Sequence, residues 1–184
     1  MGFKEIWRYD HSLADGKCLL TVIYPGAFDP ITCGHLDIIR RASGIFDMLV
    51  VAIVKRGAKD LLFNADERVD LARSSLLESG ITHGVDVVAF DSLLVDYMRD
   101  KGMKIFIRGL RANSDFEYEF QMQLANRKLA PGISGIYLMP SESNIYLSST
   151  LVKEIAGYGG DISAFVTPSV EEAVRLRCST QANG

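Results

Sequence analysis

The sequence predicts an α/β domain: a doubly wound, Rossmann-like, five-stranded parallel sheet with helices on both faces. Three observations carry that expectation. Short, continuously apolar runs alternate with stretches of helical period from Leu19 onward, as expected of parallel strands covered on both faces. Strand–helix alternation implies βαβ units with right-handed crossovers. The concentrated polar and basic clusters fall after strands, on the one sheet edge where open α/β folds bind ligands.

Each element has its own signal. The first strand, Leu19–Tyr24, is expected to break at Pro25-Gly26, and Gly34-His35 opens a helix to Phe46. The second strand, Met48–Val54, is apolar throughout. The helix Ala65–Glu78 follows an N-cap signature, Asn64 with Glu67 three residues on. Strands at Val85–Phe90, Lys104–Ile107 and Gly135–Met139 alternate with helices at Ser92–Asp100 and Asp115–Leu129. Helices at Thr150–Ala156 and Ser169–Leu176 close the chain, the latter opened by Pro168. Residues 1–17 read as an N-terminal extension, 18–178 as a single domain and 179–184 as a flexible tail. No internal repeat or low-complexity tract interrupts the pattern.

With 184 residues the chain is long enough for a substantial core. A formal charge of −3 and a pI near 5.6 give no global basic surface for a nucleic-acid partner. The longest uncharged run, Leu129 to Ser141, contains Pro131 and Pro140 and is too short to span a membrane. The N-terminus has no apolar signal core. Cys18, Cys33 and Cys178 are widely spaced, without metal-like pairing, so a reducing, cytoplasmic setting is expected.

The candidate site begins in Val22–His35. A strand, a glycine turn and a helix start place free backbone N–H groups and the positive end of a helix dipole at one loop. His35 adds a donor where a nucleotide phosphate would lie, although a histidine at a helix start also suits a plain cap. Lys55, Arg56 and Lys59 follow the second strand, where Lys59 reads equally as a solvated lysine. Arg108-Gly109-Leu110-Arg111 follows the fourth strand, an arrangement suited to anion capture. Ser148, Ser149 and Thr150 suit a helix cap and a triphosphate alike. Dipole compensation alone explains Asp115, Glu117 and Glu119. No Ser-His-Asp or Cys-His spacing supplies a nucleophile. His35, Lys59, Arg108 and Arg111 instead suit phosphoryl or nucleotidyl transfer, in which the attacking phosphate is already ionised. Magnesium would ride on the nucleotide phosphates and water, with no protein metal ligands expected.

Several segments together carry a resemblance. Val22–His35, Ile107–Arg111, Asp115–Glu119, Asp66-Glu67-Arg68-Val69 and Ser148–Glu154 closely resemble bacterial phosphopantetheine adenylyltransferases, over roughly Leu19 to Arg177. The resemblance implies AMP transfer from ATP to 4′-phosphopantetheine, giving dephospho-coenzyme A and pyrophosphate. It implies that His35 stabilises the transition state and that Lys59 and Arg108 grip the phosphopantetheine phosphate. Ala27 occupies a substrate-phosphate position, and Leu94 matches one lining the pantetheine arm. Ala27, Phe28, His35, Gly109, Leu110, Arg111 and Glu119 match ATP contacts, as does the segment Asn144, Ile145, Tyr146, Leu147, Ser148, Ser149, Thr150. The family's enzymes are homohexamers inhibited by coenzyme A.

Three positions depart from the family pattern. Ala27 replaces the usual Thr or Ser, Cys33 the usual Asn, and Asn144 a common tryptophan. Two other readings remain at this point. One keeps the fold but changes the acceptor to nicotinamide mononucleotide or a sugar phosphate, although those relatives usually carry a second histidine where Thr32 stands. The other makes the chain a non-catalytic nucleotide or coenzyme A sensor, prompted by Ala27.

Overall fold

The computed structural model describes residues 19–56, 61–111 and 113–182. Five strands form one parallel sheet: β1 (Thr21–Gly26), β2 (Met48–Val54), β3 (Val85–Phe90), β4 (Ile105–Gly109) and β5 (Ser134–Leu138), in the order β3-β2-β1-β4-β5. The helices are α1 (Cys33–Ser43), α2 (Ala65–Glu78), α3 (Leu94–Asp100), α4 (Asn113–Leu129), α5 (Ser149–Gly157) and α6 (Pro168–Ala182). A 3₁₀ turn at Glu142–Asn144 precedes α5.

Strand alternation sorts the core into two layers. Val22, Leu49, Val51, Ile53, Val87 and Ile107 face α1, α2, α5 and α6 in the larger cluster. Ile23, Val50, Ala52, Phe90 and Phe106 face Val95 and Met98 of α3 in the smaller. Both sheet faces are thus dry, which is why the strands read as unbroken apolar runs. Gly135 admits α4 onto β5, since a Cβ there would stand 2.7 Å from the Phe106 ring and 2.8 Å from Gln123 Oε1.

The expected break at Pro25-Gly26 is corrected: β1 continues through both, with Pro25 beside Ala52 and Gly26 beside Ile53. Pro25 lacks a donor, but its carbonyl accepts Arg108 Nη1–H at 3.0 Å. At the other end α6 runs on through Ala182, so 179–182 continue the helix into the stretch expected to be a flexible tail. The Ser179 hydroxyl bonds back to Leu176 O at 2.9 Å within that helix.

The chain leaves β1 toward β2 and β3 on one side and places β4 and β5 on the other. The reversal lies between β1 and β4, where the carboxyl ends of neighbouring strands splay apart into a crevice. None of the described helices is long and apolar enough to cross a membrane.

Candidate active site

A cleft of about 450 Å³ occupies that crevice. The floor is the end of β1. Gly26 has no Cβ because one would sit 2.8 Å from the Phe28 ring. That ring folds back edge-on to Tyr24 at 5.2 Å and to His35 at 5.0 Å. The fold-back requires φ +50° at Phe28, a left-handed conformation for a bulky non-glycine residue. Such backbone strain costs about 1–3 kcal/mol and persists only where the surroundings enforce it.

Two buried groups do the enforcing. Asp29 accepts N–H bonds from Leu62 and Phe63 at 2.8 and 2.9 Å, and Lys153 Nζ of α5 reaches it at 3.0 Å. Arg68, only 1% exposed, donates through Nη1 to Ala27 O at 2.6 Å and Val54 O at 3.0 Å. Its Nε–H reaches Phe63 O at 3.1 Å. The Asn64–Glu67 capping box expected at the start of α2 is present, and Arg177 of α6 pairs with Glu67.

His35 holds two roles. Thr32 is the N-cap of α1, and its backbone N–H donates to His35 Nδ1 at 3.0 Å, with its hydroxyl at the same distance. The plain-cap reading is therefore correct as far as Nδ1 goes. With Nδ1 an acceptor, the ring proton sits on Nε2. Burial, reinforced by the Arg111 guanidinium, pushes the imidazole pKa down to about 4. At neutral pH the ring is an uncharged donor in the wall of the cleft.

Opposite stand the β4 residues. Arg108 lies within ion-pair distance of Glu119 on α4, Nε to Oε2 at 3.4 Å, besides holding Pro25 O. Gly109 lets the wall approach closely, since a Cβ would stand 3.3 Å from Ile38 and 3.6 Å from the Tyr24 hydroxyl. Arg111 Nη1 donates to Leu147 O at 2.9 Å, binding this loop to the segment before α5. The N-terminus of α5 closes the rim: the Ser148 hydroxyl accepts Leu151 N–H at 3.1 Å, and Ser149 Oγ donates to Pro30 O at 2.8 Å. Two helix N-termini, α1 and α5, thus meet at one cleft, a setting that favours an anion.

Most of the predicted residues come together here. Ala27, Phe28, His35, Arg108, Gly109 and Arg111 line the cleft, joined by Glu119, Asn144, Leu147 and the Ser148–Thr150 stretch. Leu94, Leu110, Ile145 and Tyr146 are not in its lining. Leu94 packs against the α3-side core, Leu110 N–H bonds Leu138 O, and Tyr146 stands edge-on to Phe165. Lys59 lies outside the described residues. Sequence reasoning passed over Tyr24 as a lining residue and the Asp29–Lys153 and Arg68 supports. A charged residue directly after a turn glycine and aromatic (Asp29), and an arginine on a buried helix face (Arg68), were the signals available.

No grouping of three or more His, Cys, Asp or Glu side chains forms a metal site among the described residues. Glu119, the one carboxylate among the lining residues, already faces Arg108.

A parallel sheet with a glycine turn, a capped histidine and arginines at its switch point defines the nucleotidylyltransferase class. The cytidylyltransferase-like family model matches residues 23–155. The chain is 50% identical to a phosphopantetheine adenylyltransferase of Methylobacillus flagellatus, over 86% of this chain and 97% of that protein. It is 51% identical to one of Methylococcus capsulatus, over 84% and 94%. It therefore belongs to the phosphopantetheine adenylyltransferases. Among solved structures, the Plasmodium falciparum nicotinic acid mononucleotide adenylyltransferase complexed with NaAD shares the fold. The TM-score is 0.64 at 16% identity, covering 84% of this chain and 93% of that one.

Proposed function

We infer that the chain transfers the AMP of ATP to 4′-phosphopantetheine, releasing pyrophosphate and forming dephospho-coenzyme A. The observation that carries this is near-full-length identity of about half to enzymes of that name, joined to a cleft built for anions. A phosphate oxygen of phosphopantetheine attacks the α-phosphorus of ATP. The new P–O bond forms as the bond to the β-phosphate bridging oxygen breaks, and pyrophosphate takes the electron pair. The attacking oxygen is already ionised, so no general base is required, and catalysis reduces to positioning and charge stabilisation.

In this reading His35 Nε2–H donates to an α-phosphoryl oxygen as charge develops there. Its partner on Nδ1 and its low pKa keep it a fixed, neutral donor. Arg108 and Arg111 stabilise the phosphates from the opposite wall. The α5 N-terminus, with Ser148, Ser149 and Thr150, receives the β- and γ-phosphates. Lys59 joins Arg108 on the phosphopantetheine phosphate, and Ala27 contributes backbone only. A divalent cation accompanies ATP as part of the substrate, magnesium being the ion proposed, and screens the charge between its phosphates.

The remaining assignments rest on the same reading. Coenzyme A, which contains the product, competes for the cleft as a feedback inhibitor. α4 exposes Phe116, Phe120, Met122, Leu124 and Leu129, with the two phenylalanines stacked at 5.9 Å. That apolar face supports burial against further copies in a homohexamer. Free Cys33 and Cys178 support a reducing cytoplasm. A pyrophosphate-release assay with ATP, magnesium and 4′-phosphopantetheine tests the central reading. Turnover is expected with this acceptor and not with nicotinamide mononucleotide; no turnover with phosphopantetheine would overturn it.

A further inference from the structure

We propose that Arg68, remote from the reacting groups, is the positioning residue that aims the Phe28 backbone N–H into the cleft as a phosphate donor. The proposal deepens the reading of the site as an adenylyl-transfer centre and rests on it. Arg68 holds the Ala27 carbonyl at 2.6 Å from the side of α2, through a nitrogen that also holds Val54 O at 3.0 Å. The Ala27–Phe28 peptide is planar and trans, so its N–H projects opposite its C=O. Pulling the carbonyl toward Arg68 therefore turns the Phe28 N–H away from Arg68. No acceptor for that N–H is found among the described residues, while both Ala27 and Phe28 line the cleft.

The surroundings agree with a part held under tension. Phe28 carries φ +50°, and its ring is wedged between Tyr24 and His35. Relaxing the 27–28 peptide would shift both the N–H and the ring that packs on His35. A neutral core residue in place of Arg68 would fill space but could not hold two carbonyls with one nitrogen. Arg68 is itself an expensive core residue: it is the largest fully buried side chain, and its Nη2 has no hydrogen-bond partner.

The test combines variants with a measurement on the unaltered protein. Steady-state kinetics of Arg68→Lys and Arg68→Met are taken well below each melting temperature. The expected result is a kcat lowered roughly ten- to a hundredfold, less for Lys than for Met, with KM for phosphopantetheine nearly unchanged. A merely structural Arg68 would lower the melting temperature while leaving kcat of the folded variants within about twofold, and that result overturns the proposal. In the wild-type protein, the Phe28 amide proton should move downfield when an ATP analogue with a methylene α,β-bridge is added. An unmoved amide also overturns the proposal, even if neither variant folds. The amide shift does not involve the acceptor, so it stays informative should wild-type protein fail to turn over phosphopantetheine.

Discussion

α1 and α4 each contribute a residue to the lining of the cleft, His35 and Glu119, yet they finish their packing differently. α1 is capped at both its Thr32 and His35 ends of the box and buries Leu36, Ile38, Ile39 and Ala42 in the larger core. α4 supplies Glu119 to the site but leaves Phe116, Phe120, Leu124 and Leu129 about half exposed. The difference separates two demands on a helix beside an active site. In the proposed reaction α1 must be rigid because its first turn carries the donor His35, and the packing of α1 in the larger core provides that rigidity. α4 carries a carboxylate whose place is set by Arg108, and its outer face is free for another surface.

The comparison breaks first, and hardest, at the cleft. His35→Ala and Arg108→Ala should each lower kcat/KM by at least about a hundredfold, or some 3 kcal/mol, with folding intact. Near-normal steady-state turnover in either would remove that residue from the site. Next comes packing. Ile39→Ala should lower unfolding free energy by about 2–4 kcal/mol in a denaturant titration, whereas Leu124→Ser should change that of the monomer by under roughly 0.5 kcal/mol. Light scattering should instead find Leu124→Ser in smaller assemblies than the wild type. A wild-type mass near 20 kDa would show that α4 has no partner copy.

The acid limb sharpens the view of α1. His35 has its folded pKa pushed down to about 4 from the ordinary value of 6.5. Between those values the unfolded chain binds the proton that the native ring refuses, so stability rises with pH across that window and is lost as pH falls through it. Thermal melts from pH 7 to 4 should show this slope, and His35→Gln should flatten it. The acid limb of kcat/KM should likewise fall well below pH 6.5. A limb at 6.5 would mean an ordinary, solvated imidazole.

The smallest change in activity belongs to Ala27. Its methyl lines the cleft but cannot donate, and a hydrogen bond to a charged group contributes about 1.5–3 kcal/mol. The neighbouring backbone recovers part of that, so Ala27→Thr should raise kcat/KM for phosphopantetheine several-fold and scarcely affect binding of an analogue lacking the phosphate. A fall in efficiency would show that the turn has packed around the methyl.

Much of this was legible in residues alone. Continuous apolar runs buried on both faces, the Asn64–Glu67 cap and the strand–turn–helix at Gly26–His35 announce the parallel sheet and its candidate ligand-binding edge, because each is a local rule with a short reach. The membership of Arg108, Gly109 and Arg111 in the same cleft as His35 was also foreseeable, since the carboxyl edge of a parallel sheet gathers such loops. Tertiary structure alone decided the rest. Pro25 stays in its strand because an arginine from β4 satisfies its carbonyl. His35 is neutral because Thr32 occupies Nδ1 while burial and Arg111 disfavour its charge. Glu119 serves Arg108 instead of a helix dipole, and Arg68 reaches across 41 positions of chain to the Ala27 carbonyl. These depend on distances between segments far apart in sequence, and a side chain's protonation and direction are set by the neighbours that folding supplies.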